Sequence, residues 1–165
     1  MEYWDLMRRF LHIAKLRRVL AGKRLGKVDP YAGQWMPVLR YVMDHDGCSQ
    51  AELAAFLRVT PASVALSTKR MQKAGYLEKE VDEWNLRRNN LHVTEAGQKL
   101  AAACRDVFYE MDKEAFQGFE PEELTALAGY LDRIYANMGG GRPLSFGEIL
   151  DLQRQNEDED DKPEA

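Results

Sequence analysis

Two short segments near the middle of the chain carry basic side chains that could contact a polyanion. Lys69, Arg70 and Lys73 recur at helical spacing, and Arg87 and Arg88 follow in a polar segment. Lysine and arginine neutralise phosphate groups, and an arginine can also donate two hydrogen bonds to one base edge. The chemistry that these residues predict is noncovalent recognition of a nucleic acid.

Patterns that would indicate catalysis or metal binding are not found in the sequence. The three histidines, His12, His45 and His92, are scattered. There is no glycine-rich phosphate loop, nucleophile elbow or metal-spaced cluster of cysteine and histidine. We therefore expect a protein without enzymatic activity, bound metal or cofactor.

The distribution of charge along the chain is compatible with DNA binding, although the formal net charge is −4. Residues 1–29 carry a net charge of +5 and residues 51–99 carry +2, whereas residues 100–165 carry −10. Because charges act over about a Debye length, roughly 8–10 Å, the local balance matters more than the total. The acidic end of the chain, residues 157–165, is expected to be a disordered tail.

Length and composition predict either one compact domain or a domain with one helical appendage, and a location in the cytoplasm. The chain has 165 residues, of which 45% are hydrophobic, and no apolar run approaches the roughly 20 residues needed to cross a bilayer. The first residues lack the basic start and cleavage site of a secretory signal. The two cysteines, Cys48 and Cys104, do not form the pattern of a disulfide scaffold. We expect no membrane partner.

Apolar spacing and stop signals predict two helices ahead of the basic segments. The first covers residues 3–25, is weakened near its end by Gly22 and Gly26, and stops at Asp29 and the proline that follows it. The second covers residues 34–44, and its apolar face consists of Trp35, Val38, Leu39 and Val42.

Capping signals then predict two helices joined by a tight turn. Ser49 stands three residues before Glu52, a capping-box spacing that opens a helix ending near Leu57. After a turn at residues 58–59, an N-cap hydroxyl and a proline open a second helix, which runs to residue 74 and stops at Gly75.

Two strand-like runs around a polar loop predict a β-hairpin, with strands at residues 76–81 and 90–94. Thr94 caps a helix over residues 95–116, and Pro121 begins another that ends near Met138, where Gly139, Gly140 and Gly141 stop it. Ser145 caps a last helix, through about residue 155. The predicted fold is mainly α with a small β-hairpin wing.

The order of short helix, turn, helix and hairpin is that of a winged helix-turn-helix, whose second helix can enter the DNA major groove. At about 100° per residue, Val64 and Met71 face inward, flanked by Ser67 and Thr68. The outward and edge positions, with the two residues that open the helix, are candidate DNA contacts: Thr60, Pro61, Ala62, Ser63, Ala65, Leu66, Lys69, Arg70 and Lys73. Leu66 either touches a thymine methyl group or is a plain surface leucine.

The hairpin loop carries a second set of candidate DNA contacts, which are Asp82, Asn85, Arg87 and Arg88. An arginine at a loop tip can enter a narrow minor groove, where the negative potential is strongest. Asp82 would be repelled by phosphate, so we expect it to bond within the loop and hold an arginine in position. The alternative is that both arginines belong to a solvated loop.

These spaced motifs resemble the MarR family of winged helix-turn-helix transcriptional regulators. The resemblance covers roughly residues 30–97, and the order of helices extends it to about 138. It rests on Gln34-Trp35 with Val38-Leu39, on Gln50-x-Glu52-Leu53-Ala54-x-x-Leu57, on Val59-Thr60, on Arg70-Met71-x-Lys73-Ala74-Gly75-Tyr76-Leu77, and on Asp82-x-x-Asn85-x-Arg87-x-x-x-Leu91-x-Val93-Thr94-x-x-Gly97.

The resemblance implies a repressor that acts as a homodimer on a pseudo-palindromic operator and is released by a small-molecule effector or by thiol oxidation. Three features depart from the family pattern, one of which is a tail beyond Gly139 that is longer than a minimal member needs. The wing has Asn85 where the family usually has a second aspartate, and the outer helix face has Ala65 and Leu66 where it often has a Thr-Arg pair. Lys69 and Arg70 are therefore expected to carry more of the contact.

Apolar stripes on residues 3–20 and 124–138 exceed what a winged helix of about 65 residues can cover, which also predicts a symmetric dimer. We accordingly divide the chain into a helical dimerisation region, residues 1–29 and 95–156, and a DNA-binding region, residues 30–94, followed by the tail.

Three aromatic residues, Phe10, Tyr31 and Trp35, either line an effector pocket between the dimer helices or pack in the core, which is the commoner role of aromatics at helical spacing. Cys104 lies on an apolar stripe and is expected to be a buried, inert thiol instead of a redox sensor. Whether Cys48 is redox-active stays open.

Two other functions fit the same fold. A winged helix can lose DNA binding and become a protein-interaction module, which the acidic C-terminal third would suit but the retained basic residues argue against. It can also bind DNA without sequence preference, as an architectural protein.

Overall fold

The computed structural model describes residues 2–81, 89–145, 147–149 and 151–152. The chain divides into two units, residues 1–115 and residues 116–165. The predicted wing loop, with Asp82, Asn85, Arg87 and Arg88, and the predicted acidic tail lie outside the described residues.

The first unit contains five helices and three strands among its described residues. In chain order these are α1 (Tyr3–Val28), α2 (Ala32–Asp44), β1 (Cys48–Ser49), α3 (Gln50–Leu57), α4 (Pro61–Lys73), β2 (Leu77–Val81), β3 (Asn89–Val93) and α5 (Glu95–Ala115). This arrangement confirms the predicted mainly α fold with a helix-turn-helix followed by a β-hairpin.

Helix α1 continues through Gly22 and Gly26 to the predicted stop at Asp29. Each glycine costs a helix about 1 kcal/mol relative to alanine, yet neither ends this one. At the stop, the Asp29 backbone N–H donates to the Leu25 carbonyl at 3.0 Å. The Asp29 carboxylate accepts from the Tyr31 N–H at 2.7 Å, so the residue also starts the turn into α2.

The helices of the helix-turn-helix begin at the predicted caps. The Ser49 hydroxyl accepts from the Glu52 N–H at 3.2 Å, and the Ser49 N–H donates to the Glu52 carboxylate at 2.7 Å. The Thr60 hydroxyl accepts from the Ser63 N–H at 3.2 Å. Between the two helices, Arg58 adopts the left-handed conformation with φ of 54° and turns the chain sharply.

The sheet has one strand more than predicted. Strand β3 lies in the middle, paired antiparallel with β2 along its whole length and with the two residues of β1 on its other side. Cys48 faces Leu91 and Ser49 faces Asn90 across this second pairing. A two-residue strand is too short to produce a visible alternation in sequence, which is why the prediction missed it.

The core lies where α2, α3, α4, α5 and the sheet meet. The predicted inner face of α2 is confirmed, since Trp35, Val38, Leu39 and Val42 are all buried. The largest fully buried side chains of the core are Leu39, Leu53, Met71, Leu91, Val42, Val64, Thr68 and Cys104. Thr68 is the one buried polar residue in the described part of the chain.

The start of α5 lies against the backbone at the start of β2. The Thr94 N–H donates to the Tyr76 carbonyl at 3.2 Å, and the Thr94 hydroxyl donates to the Gly75 carbonyl at 2.6 Å. One turn into α5, a Cβ atom at Gly97 would lie 2.2 Å from the Tyr76 carbonyl oxygen. Only glycine fits this contact without a shift of the backbone.

Two ion pairs join α1 to α5. The Arg17 guanidinium donates two bonds to the Asp112 carboxylate, at 3.0 and 2.9 Å, and Arg24 donates to Glu114 at 2.5 Å. These hydrogen bonds hold the pKa of Asp112 and the pKa of Glu114 below their ordinary values. Because the groups are largely exposed, solvent screens both pairs.

An Asp112→Asn variant should therefore lose a small part of its stability, under about 1 kcal/mol, because the bidentate pair is lost. Because the pKa of Asp112 is lower in the folded chain than its ordinary value of 3.8, the ion pair stabilises the fold fully at a pH above 3.8. This stabilisation is lost as the pH falls through the lowered pKa of the folded chain. Thermal melts from pH 7 to pH 2 should show parent and variant converging at the acidic end. Asp106→Asn, on the same helix and without an ion pair to a described residue, is the control. A constant difference across the pH range would contradict the assignment.

The second unit contains one long helix, α6 (Pro121–Met138). It begins at Pro121 and ends at Gly139, as the sequence predicted. A capping box between Glu120 and Glu123, which the sequence analysis did not predict, stabilises its start. None of its residues is buried, and its exposed apolar side chains include Leu124, Leu131 and Met138. The Ser145 hydroxyl accepts from the Glu148 N–H at 3.2 Å, which confirms the predicted start of a further helical segment.

None of the described helices is both long enough and apolar enough to span a membrane.

Candidate nucleic-acid interface

The two faces of α4 are divided as the helical spacing predicts. Val64, Thr68 and Met71 are buried, and Ser67 beside them is half-buried. The other candidate positions of the helix are exposed, namely Thr60, Pro61, Ala62, Ser63, Ala65, Leu66, Lys69, Arg70 and Lys73. The 52% exposure of Leu66 is high for a leucine in a folded unit and leaves its methyl groups accessible to a ligand.

The outer face of α4 is basic and carries no compensating carboxylate among the described residues. Lys69, Arg70 and Lys73 form no ion pair with any residue that the structure describes, and α4 itself contains no aspartate or glutamate. The N-terminal end of the helix, with its partial positive charge, is exposed at Thr60 and Pro61. This surface suits an anionic partner with a regular repeat of phosphates.

The wing enters the described structure only through its two strands. Val81 pairs with Asn89, so the loop leaves and re-enters the sheet at adjacent positions. The candidate contacts Asp82, Asn85, Arg87 and Arg88 all fall between these two residues, outside the described part, and their roles stay a prediction.

A side-chain hydrogen bond that the sequence analysis missed ties α4 to α3. The Gln50 side-chain amide donates to the Thr68 hydroxyl at 2.6 Å, and the same hydroxyl donates to the Val64 carbonyl at 2.9 Å. The available signal was Thr68 itself, a hydroxyl on the inward face of a helix, because a buried polar group needs a partner. Nothing in the sequence singles out Gln50 as that partner.

Of the three aromatic residues proposed for an effector pocket, the structure brings two together. Tyr31 stacks on Trp35 with ring centroids 5.3 Å apart, and Tyr76 meets Trp35 edge-on at the same distance. Phe10 lies on α1, about 22 Å along the helix from Leu25, where α1 enters the core. Trp35 is a core residue, whereas Tyr31 is half exposed.

Asp29 links this aromatic group to the end of α1. The Tyr76 hydroxyl donates to the Asp29 carboxylate at 3.1 Å. Burial, and then this hydrogen bond to a carboxylate, raise the pKa of Tyr76. The phenol therefore stays a hydrogen-bond donor over the physiological range.

Both cysteines are buried. Cys104 is fully enclosed within the face of α5 that meets the core, and burial, with a smaller effect of Asp29, raises the pKa of its thiol. The neutral thiol reacts slowly with oxidants, in agreement with the predicted inert role. Cys48 lies in β1.

His92 is half-buried in β3 and lies between two carboxylates. Its Nδ1 atom lies 2.8 Å from the Asp46 carboxylate, and its Nε2 atom lies 3.7 Å from that of Glu80. No group of three or more histidine, cysteine, aspartate or glutamate residues in the described ranges is arranged to hold a metal ion.

Comparisons with known proteins agree with this geometry. A model of the MarR family matches residues 31–88, from the start of α2 to the end of the wing loop. The chain is 25% identical, over 134 residues, to the uncharacterized HTH-type transcriptional regulator YybA of Bacillus subtilis, covering 81% of this chain and 89% of that one. It is 29% identical to the HTH-type transcriptional regulator BilQ of Clostridium symbiosum, over 57% of this chain and 65% of that one.

Solved structures share the fold. MepR, a transcription regulator of the Staphylococcus aureus multidrug efflux pump MepA, superposes with a TM-score of 0.68 at 24% identity, covering 84% of this chain and 99% of that one. A MepR mutant bound to an oligodeoxyribonucleotide superposes with a TM-score of 0.64. The family model, the two regulator relatives and the solved structures agree: residues 31–88 are similar to the MarR family of transcriptional regulators, and the chain has the winged-helix fold.

Proposed function

We propose that this regulator is a repressor that binds a pseudo-palindromic operator as a homodimer. The observation that carries the proposal is the exposed basic face of α4, a capped helix that follows the capped helix α3 and precedes the β-hairpin. A helix of this kind fits a B-DNA major groove about 12 Å wide, and its side chains then reach the base edges. The oligonucleotide complex of the MepR mutant supports DNA as the partner.

We base the proposed dimer on the apolar side chains that remain exposed when one chain is considered alone. Within the first unit, α1 buries only Ala21 and Leu25 and exposes a long apolar series, comprising Leu6, Met7, Leu11, Ile13, Leu16 and Val19. Within the second unit, α6 exposes Leu124, Leu131 and Met138. Apolar surface of this extent is typical of a protein interface. A symmetric dimer would hold two recognition helices over the two half-sites of an operator.

The proposal assigns sequence discrimination to α4 and groove electrostatics to the wing. Lys69, Arg70 and Leu66 would contact base edges, and the exposed start of the helix would contact a phosphate. Arg87 and Arg88 would act in the minor groove. Release by a small-molecule effector belongs to the same proposal, and the half-exposed ring of Tyr31 stacked on Trp35 supports an aromatic effector there.

Selection of duplexes from a random DNA pool tests the function directly. The full chain should enrich a motif with two related half-sites about one helical turn apart. Enrichment of a single half-site would contradict the dimer, and retention without an enriched motif would favour an architectural DNA binder. A chain that retains no duplex at all would favour a protein-interaction module.

Because α4 is proposed to contact bases and the wing to act through groove electrostatics, Lys69→Ala and Arg87→Ala should have different binding defects. Lys69→Ala should relax base preference at one or two positions of each half-site, because a base contact contributes about 1–3 kcal/mol of discrimination. Arg87→Ala should weaken binding to selected and scrambled duplexes alike and lower the salt slope by about 0.9. Titration of each variant against both duplexes at several salt concentrations measures the two effects.

Lys113→Ala is the matched control, since this exposed lysine lies on α5, about 27 Å along the helix axis from its first turn. It should bind as the parent does. If Lys69→Ala and Arg87→Ala also bind both duplexes like the parent, these residues do not contact DNA.

A further inference from the structure

The hydroxyl of Thr68 connects the recognition helix α4 to α3 through a buried hydrogen bond. The side chain is fully buried in the middle of the inward face, between the apolar residues Val64 and Met71. Apolar contacts alone tolerate small rotations and shifts of a helix, whereas a hydrogen bond depends on distance and angle. A buried hydroxyl with both bonds made therefore restricts how α4 can turn about its own axis.

Both bonding functions of that hydroxyl are used. Its hydrogen is donated to the Val64 carbonyl at 2.9 Å, within α4, and its lone pair accepts from the Gln50 amide at 2.6 Å, across to α3. Lys69 follows Thr68 directly and is turned by about 100° from it around the helix. A rotation of α4 that broke the Gln50 bond would thus also move Lys69 and Leu66 relative to the groove.

Gln50 also stands next to the sheet that supports the wing. It is the first residue of α3 and follows Ser49, which pairs with Asn90 in β3. Asn90 is in turn adjacent to Asn89, where the wing loop re-enters the sheet. A short path of bonded groups therefore runs from the middle of the recognition helix to the base of the wing.

We infer that Gln50 and Thr68 form a positioning pair, which holds the recognition helix in a fixed orientation relative to the wing and so contributes to sequence discrimination. The inference rests on the proposed function, since it concerns the accuracy with which two DNA-contacting elements are held. Neither residue is placed in contact with DNA.

The test uses the full chain and the duplex enriched by the selection described above, with a scrambled duplex as reference. Thr68→Val keeps the shape of the side chain and removes the hydroxyl, and Gln50→Leu removes the donor at a half-buried position. Each variant should lower the ratio of selected to scrambled affinity by about tenfold, while the salt slope on scrambled DNA stays unchanged. The double variant should be no worse than either single variant, because the same bond is lost.

Two controls separate positioning from general loss of stability. Thr68→Ser keeps the hydroxyl and should restore most of the affinity ratio. Val42→Ala shortens a fully buried side chain of α2, away from the bond between Gln50 and Thr68, and should lower the melting temperature. Well below that temperature, it should leave the ratio of selected to scrambled affinity unchanged.

A parent chain that prefers the selected duplex, with Thr68→Val and Gln50→Leu showing the same preference, would overturn the inference and leave the proposed function intact. Equal losses in Val42→Ala and Thr68→Val would overturn it in the same way. A parent chain without any preference between duplexes would overturn the proposed function and the inference together.

Discussion

A Gly97→Ala variant is expected to melt roughly 10 °C below the parent chain, from a loss of about 3 kcal/mol in a protein of this size. The added Cβ would lie 2.2 Å from the Tyr76 carbonyl oxygen and 2.7 Å from a methyl carbon of Val93. The carbonyl is backbone and cannot rotate away. Either α5 moves off the sheet or the hydrogen bond from the Thr94 N–H to that carbonyl breaks.

Gly26→Ala is the matched control, because a Cβ at that position of α1 meets no atom within 4 Å. An alanine inside a helix is favoured over glycine by about 1 kcal/mol, so the control should melt at or above the parent temperature. Both melts are compared at one protein concentration, since the proposed dimerisation would make the midpoint depend on concentration. If Gly97→Ala melts with the parent, the close approach of α5 to Tyr76 is wrong.

Replacing Leu127 and Leu131 together by glutamate should produce monomers that bind the selected duplex at least about 100-fold more weakly than the parent. Both residues belong to the apolar stripe of α6, and two carboxylates there would be desolvated by a partner helix. A monomer also loses the second half-site as an intramolecular contact, which accounts for the size of the effect. Sedimentation velocity at micromolar concentration and titration with the duplex measure the two results.

Thr125→Glu adds a carboxylate on the opposite side of the same helix, about 140° around the axis from the stripe. It should remain dimeric and bind as the parent does. A parent chain that sediments as a monomer would refute the dimer, and a Leu127 and Leu131 variant that stays dimeric would place the interface elsewhere.

Sequence was sufficient wherever a structural feature depends on neighbouring residues. Ser49 with Glu52 and Thr60 with Pro61 are complete N-terminal signals within four residues, and both helices begin there. The division of α4 into a buried and an exposed face likewise follows from helical spacing alone. These local signals also identified Gly139 as the end of α6.

Sequence was insufficient where a feature depends on distant partners. Strand β1 exists only because β3 lies beside it, and His92 meets Asp46 across 46 positions of sequence. The bond between Gln50 and Thr68 spans 18 positions, and each residue alone is compatible with several partners. The wing contacts at Arg87 and Arg88 stay predictions, since they lie outside the described residues.

Because both thiols are buried, their reactivity measures how often the surrounding structure opens. Cys104 is held in the core by α5, and Cys48 is held by the pairing of β1 with β3, so the two sulfur atoms report on different parts of the first unit. A thiol-specific alkylating reagent can reach either atom only when its surroundings separate, and its rate then follows the population of the opened state. Cys48 and Cys104 have no part in the proposed DNA contacts. Mass spectrometry of their alkylation therefore measures local fluctuations of the first unit without any substitution in the chain.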